Sequence, residues 1–362
     1  MPAGAGAALA TTLASGYLAQ GAQVVEFERK LADYTGNPRV CAMSEISGAL
    51  TLALFMAGVR PADEVVVSPM VCLATSMPIA NLFARPLWCD VDPATGMLDP
   101  ARIADLVTPR TRAILAYHWS GDVADIGALQ EAARAHGLAL IEDASEAFGA
   151  EYRGEKLGHH GSDFCAYSFA AVRQITAGEG AALLCADPDD HEQARQLRHY
   201  GIDRASFRLP CGDLNPQSDI AVPGFNFCMN NIAATIALAQ LPHVENLVAR
   251  QRANGRYFDA ALAGVGGVTL LNRRADAVSG YWTYSLRAER RADLMRKLRQ
   301  NGIGCQRLHV RNDRYSCFAD VRRDDALPGV DLFDRENLSI PCGWWLSREE
   351  CERIVACIRS GW

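Results

Sequence analysis

Residues 138–146, Leu138-Ala139-Leu140-Ile141-Glu142-Asp143-Ala144-Ser145-Glu146, decide how this chain folds. A short apolar run that breaks into an acidic pair reads as a buried strand with carboxylates at its C-terminal end, where open α/β sheets place their ligands. Working outward, the 3.6-residue spacing of apolar positions predicts a helix over 126–136. Helices are likewise expected over 47–56 and 73–83, alternating with strands over 64–68, 87–89 and 113–117. Two further strands, 163–169 and 181–185, are joined by a turn containing Gly178 and Gly180. Such alternation is the pattern of an α/β fold with a mostly parallel sheet. Residues 205–223 turn to Pro, Gly, Asp and Ser and read as a long loop. A helix from 231 to about 261 carries the chain into a smaller α+β unit containing the segment 281–287, a helix over 292–300 and a last helix over 347–358. The division expected is a large domain over 1–245 and a small C-terminal domain over 246–362.

The composition sets the outer limits. The chain has 362 residues, 49% of them hydrophobic and 22% charged, enough to bury a full core and too apolar for a disordered or fibrous protein. The net charge of −6 comes without any basic block, which argues against a nucleic-acid partner. Twelve cysteines are scattered with no Cys-x-x-Cys pair and no zinc-like Cys/His spacing, as expected for reduced thiols in a cytoplasmic protein. Residues 1–16 lack the charged and bulky apolar regions of a secretory signal and read as a first helix, and no membrane span is expected. Lysine is scarce: Lys30, Lys156 and Lys297 are the only three.

The motifs that carry chemistry lie between 116 and 180. Ala116-Tyr117-His118-Trp119-Ser120-Gly121 comes first, then Ile141 to Gly154, then Tyr167-Ser168-Phe169-Ala170-Ala171-Val172-Arg173-Gln174-Ile175-Thr176-Ala177-Gly178-Glu179-Gly180. With Ser15 to Gly21, Ser68-Pro69-Met70, Tyr200-Gly201-Ile202-Asp203-Arg204, Gly224-Phe225-Asn226, His309 and Ile340-Pro341-Cys342-Gly343-Trp344-Trp345, they stand in the order and spacing of a known family. The chain resembles the DegT family of pyridoxal-phosphate-dependent aminotransferases, which make amino sugars from keto-sugar nucleotides. The resemblance covers nearly the whole chain. It implies an aspartate-aminotransferase-like large domain (fold type I), a small α+β domain, a sugar-nucleotide or related small-molecule substrate, and a homodimer with active sites at the subunit interface.

It also implies roles for single residues. Asp143 matches the aspartate that pairs with the pyridine nitrogen, and Glu146 stands at the position beside the coenzyme's phenolic oxygen. Ser168 and Ser47 match phosphate contacts, and Asn226 matches an asparagine given to the partner's coenzyme phosphate. The family's Schiff-base lysine belongs five residues after that serine, and Arg173 stands there. A guanidinium stays protonated and its lone pairs are delocalised, so it cannot condense with an aldehyde. The family's Ser-Gly-Thr phosphate turn corresponds to Ser44-Glu45-Ile46-Ser47, where Glu45 adds negative charge. Cys72 lies where many relatives stack a ring. Lys156 falls in a surface turn and is expected to stay solvated.

These departures point first to an enzyme with no covalently bound cofactor. His118, Asp143, Glu146, Arg173, Glu45 and His309 would then do acid–base work on a sugar or related carbonyl compound, as in dehydration, isomerisation or cyclisation, and Arg173 would bind an anionic group or pair with Glu45. Pyridoxal or pyridoxamine phosphate held without the lysine, in a sugar-nucleotide aminotransferase or dehydratase, is the alternative, and a non-catalytic partner subunit is another. His118 reads equally as a pocket residue and as a core residue. Arg198 and Arg204 read equally as substrate contacts and as surface ion pairs. The pair His159-His160 reads as solvated, and Trp282, Trp344 and Trp345 as packing of the small domain.

Overall fold

The computed structural model describes residues 1–321 and 326–362. Its centre is a seven-stranded sheet built from Val40–Met43 (β1), Glu64–Val67 (β2), Arg85–Trp88 (β3), Thr111–Tyr117 (β4), Ala139–Asp143 (β5), Phe164–Ser168 (β6) and Ala181–Cys185 (β7), in the order β1-β7-β6-β5-β4-β2-β3. Strand β7 runs antiparallel to both β1 and β6, while the remaining pairs are parallel. Helices cover both faces, so the strands are buried on both sides and read as continuous apolar runs. Every residue of β1, β2, β6 and β7 is buried. The parallel block explains the placement of the site: β4, β5 and β6 are neighbours and end in Tyr117, Asp143 and Ser168.

Alternation along β5 sends its two acids to different places. Glu142 meets His118, whose Nε2 lies 2.8 Å from Glu142 Oε2, and the Ala124 N–H donates to His118 Nδ1. Both side chains are buried. His118 therefore belongs to the core beneath the sheet, not to the pocket, because each ring nitrogen already has a partner on the Glu142 side.

A second core is formed by the three-stranded antiparallel sheet Val268–Leu270 (β8), Tyr284–Ala288 (β9) and Asn337–Ile340 (β10), in that order, with helices packed against it. The expected helix over 231–261 is broken. Asn231–Gln240 ends at a short 3₁₀ turn, Leu241–His243, before Val244–Leu262 continues, because Pro242 has no N–H to give the helical ladder. The stretch 231–262 is long and apolar enough to cross a membrane by length and composition alone, which the sequence reading had not expected. Its apolar residues are spent on packing: Ala234, Ala237, Val244 and Val248 lie in the large core, and Phe258 and Leu262 in the small one. Residues from the C-terminal third also return to the large core. Helix Pro328–Glu336 inserts Phe333 against Trp119, with ring centroids 5.0 Å apart.

Gly96 faces that ring. It sits at φ +76°, and a Cβ added there would lie 2.2 Å from Phe333 Cζ. Gly96→Ala is expected to cost well over the ~1 kcal/mol of its backbone strain alone, whereas in a Phe333→Ala background, itself destabilised by ~3–5 kcal/mol, the same change should cost only that strain. Urea denaturation of the four-member mutant cycle measures the difference, and strict additivity would contradict the close contact.

Candidate active site

Three strand ends and the loops that follow them assemble one acidic pocket. Asp143, the last residue of β5, is buried and accepts a 2.7 Å hydrogen bond from Thr75 Oγ1 and others from the Ser145 backbone N–H and hydroxyl. Burial raises its carboxyl above the ordinary aspartate value, against the pull of those bonds and of the Arg173 charge. Thr75 comes from the first turn of helix Leu73–Asn81, whose N-cap position is held by Cys72 without a side-chain capping bond. The half-buried Cys72 lies near Asp143, Glu146 and Arg173, and burial pushes its thiol up.

Glu146 is the centre of the arrangement and has no solvent contact. The Ser120 N–H donates to its Oε2 at 2.7 Å, His309 Nε2 lies 3.0 Å from its Oε1, and Arg173 Nη1 lies 3.6 Å from the same oxygen. Burial alone would push this carboxyl up, but the His309 hydrogen bond and the charges of His309 and Arg173 outweigh it and hold Glu146 below the usual range. The Tyr117 hydroxyl completes the cluster at 2.9 Å from His309 Nε2. Burial raises that phenol well above its ordinary value.

Arg173 is the cation of the pocket. It pairs with Glu146 and not with Glu45, and its guanidinium lies 4.3 Å from the centroid of the Trp282 ring. The indole Nε1–H of Trp282 donates to the Val172 carbonyl at 2.8 Å, so Trp282 walls the site as well as packing. Its backbone is held by Gly121 at φ +98°, where a Cβ would meet the Trp282 nitrogen at 2.7 Å. Two guanidinium nitrogens of Arg173, Nε and Nη1, are buried without a hydrogen-bond partner.

The remaining expected residues sit around this centre or away from it. Glu45 is the N-cap of helix Ile46–Met56 but makes no capping hydrogen bond, so the first-turn N–H groups beside Ser47 have no side-chain cap. A Cβ on Gly48 would lie 3.3 Å from Glu45 Oε1, which places the carboxylate back along that first turn. Ser168 is buried at the end of β6, its hydroxyl accepting from the Ala170 N–H. Asn226 is exposed on a loop whose backbone bridges to His199. Lys156 is not solvated as expected: it is mostly buried in ion pairs with Glu151 and Glu245, 2.9 and 2.8 Å away, remote from Arg173's partners. Arg198 is buried against Glu28 and the Ala42 carbonyl, and Arg204 bonds Gln20. His159 and His160 both lie near Glu155. Among the described residues, no group of three or more His, Cys, Asp or Glu could hold a metal ion.

Thr75, Ser120, Tyr117 and Ser145 carry no assigned role in the sequence reading, although Ala74-Thr75 and the segment 116–121 are among the motifs that resemble the family. Tyr117 and Ser120 flank His118 in a segment singled out for its histidine, and Ser145 lies between the two acids. The signal was present in the motif, assigned to the wrong side chain.

The profile of the DegT/DnrJ/EryC1/StrS aminotransferase family matches residues 4–359. GDP-perosamine synthase of Caulobacter vibrioides is 34% identical over 92% of this chain and 89% of its own length. The erythromycin biosynthesis sensory transduction protein EryC1 of Saccharopolyspora erythraea is 31% identical over 96% and 93%. The sugar aminotransferase CalS13 of Micromonospora echinospora superposes with a TM-score of 0.94 at 36% identity, covering 100% of this chain and 98% of that one. The fold is accordingly the α/β, type I fold of sugar aminotransferases, as the sequence led one to expect. A sheet ending in Tyr117, Asp143 and Ser168, matched from end to end by such relatives, leaves one conclusion: the chain belongs to the DegT/DnrJ/EryC1/StrS aminotransferase family.

Proposed function

We propose that the protein acts on a keto-sugar nucleotide, the substrate class implied for its family, and that it holds the vitamin B6 coenzyme without a covalent bond to any side chain. The relatives' names speak for coenzyme-assisted sugar chemistry over the coenzyme-free acid–base reading that Arg173 and Glu45 first suggested. The observation that carries the proposal is that Asp143 is buried and hydrogen-bonded while Arg173, at the position where the resemblance places the Schiff-base lysine, is held between Glu146 and the Trp282 ring.

The donor set fits the ring end of the coenzyme. Asp143 would pair with the pyridine nitrogen, Glu146 would stand beside the ring, and Ser168, Ser47 and the open first turn of helix Ile46–Met56 would face the phosphate, with Asn226 reaching a partner subunit. When bound, the coenzyme supplies an electron sink and a carrier for an amino group. The protein's own work is then to orient the sugar and move protons. His309, with Tyr117 and Glu146 at hydrogen-bond distance, is the group able to do so, since Arg173 cannot give up its proton.

The coenzyme-free reading keeps one observation in its favour. The Glu45 carboxylate lies along the turn that would face a phosphate dianion, and such a contact costs several kcal/mol at an effective dielectric of about 20. Half-exposure of Glu45 reduces that cost, so the effect expected is weakened affinity instead of exclusion.

Two measurements follow. Wild-type protein mixed with pyridoxal phosphate and treated with borohydride should keep its native intact mass, while Arg173→Lys should gain the mass of one reduced coenzyme; a stable adduct on the wild-type chain would end the proposal. In calorimetric titrations with pyridoxamine phosphate, Glu45→Ser should bind about tenfold more tightly than wild type, and an unchanged affinity would remove the electrostatic objection from the phosphate end.

A further inference from the structure

The pocket's charges constrain what can sit on Arg173. Its Nε and Nη1 are buried and without a hydrogen-bond partner, and the side chain is 9% exposed. A buried guanidinium in that state lacks acceptors, and among the described residues the one anion within ion-pair distance, Glu146, is already engaged by Ser120 and His309. Glu146, held below the usual carboxylate range, already offsets the Arg173 charge, and the buried Asp143 lies beside the pair. A further full anion would be added to an acid-rich, water-poor site, whereas a neutral carbonyl oxygen satisfies the open donors without adding charge.

The groups beside Arg173 suit the carbon next to that carbonyl. With Nε2–H donating to Glu146 Oε1 at 3.0 Å, and the Tyr117 hydroxyl 2.9 Å from the same nitrogen, the lone pair of the neutral His309 ring lies on Nδ1. A base whose other ring nitrogen is held by a carboxylate has its tautomer fixed and its protonated form stabilised.

We propose that Arg173 receives the keto oxygen of the sugar and that His309 removes a proton from the adjacent carbon, so that the site enolises its substrate by itself. The C–H electron pair becomes the C=C bond of the enolate, the carbonyl π electrons move onto the oxygen held by Arg173, and the proton rests on His309 Nδ1 while Nε2–H stays on Glu146. Return of a proton to the same carbon restores the ketone, so no oxidant, reductant or coenzyme is consumed. Arg173 thus takes over as an oxyanion donor in the place where the family's amine would stand. This inference rests on the reading that a keto-sugar nucleotide is the ligand, and not on the coenzyme.

The experiment uses the full chain without added coenzyme in deuterium oxide, with thymidine diphosphate 4-keto-6-deoxyglucose as probe. Binding is measured by calorimetry and deuterium uptake at the carbons flanking the ketone by mass spectrometry and proton NMR, against a protein-free control. Wild type should label the probe well above the control, Arg173→Met should slow labelling about 100-fold or more, Arg173→Lys should recover part of the loss, and His309→Asn should abolish it. Circular dichroism checks that each variant is folded. Binding without labelling overturns the enolisation and leaves the keto-sugar reading standing. Labelling that persists in Arg173→Met overturns the role of Arg173, and a probe that does not bind at all removes the keto-sugar reading and this inference with it.

Discussion

A carboxylate with no access to water must be neutralised from within the chain, and Glu146 is held in that condition by a backbone N–H, an imidazole and a guanidinium. Each partner comes from a different part of the structure: Ser120 from the loop after β4, Arg173 from the loop after β6, and His309 from the C-terminal third. Meeting that one demand therefore ties three distant segments to a common point. The positive φ of Ser120, +61°, is part of it, since it turns a backbone N–H toward the acid where a side-chain donor would otherwise be needed.

A guanidinium at this point supports a different chemistry from an amine. A lysine would be a neutral nucleophile for part of its cycle. The guanidinium is a permanent donor, flattened against Trp282, and its usefulness lies in stabilising negative charge as it forms. Arg173 also compensates Glu146 whether or not a coenzyme is present, which a lysine consumed in a covalent link would not do.

Much of the architecture was legible because the parallel sheet is buried on both faces and writes itself as unbroken apolar runs, with Asp143 and Ser168 at the strand ends. The break at Pro242 was harder to read, because apolar spacing continues through the 3₁₀ turn even though the hydrogen-bond ladder does not. In the site, Asp143 was marked by its place at a strand end, and Glu146 and Arg173 by the resemblance. His118 misled because sequence shows that a histidine follows a strand but not which face it takes, and the partner that settles it, Glu142, reads in one dimension like a companion of Asp143. Lys156 misled for the reverse reason: a turn composition suggested water, while Glu151 and Glu245 converge on it only in three dimensions.

Helix Val244–Leu262 has its first turns in one hydrophobic core and its last in the other, through Val244 and Val248 at one end and Phe258 and Leu262 at the other. It works as a tie between them. The aromatic wall behind Arg173 is a second tie, since Trp282 stands just before β9 in sequence yet donates its indole N–H to the Val172 carbonyl in the loop after β6 and packs its backbone on Gly121.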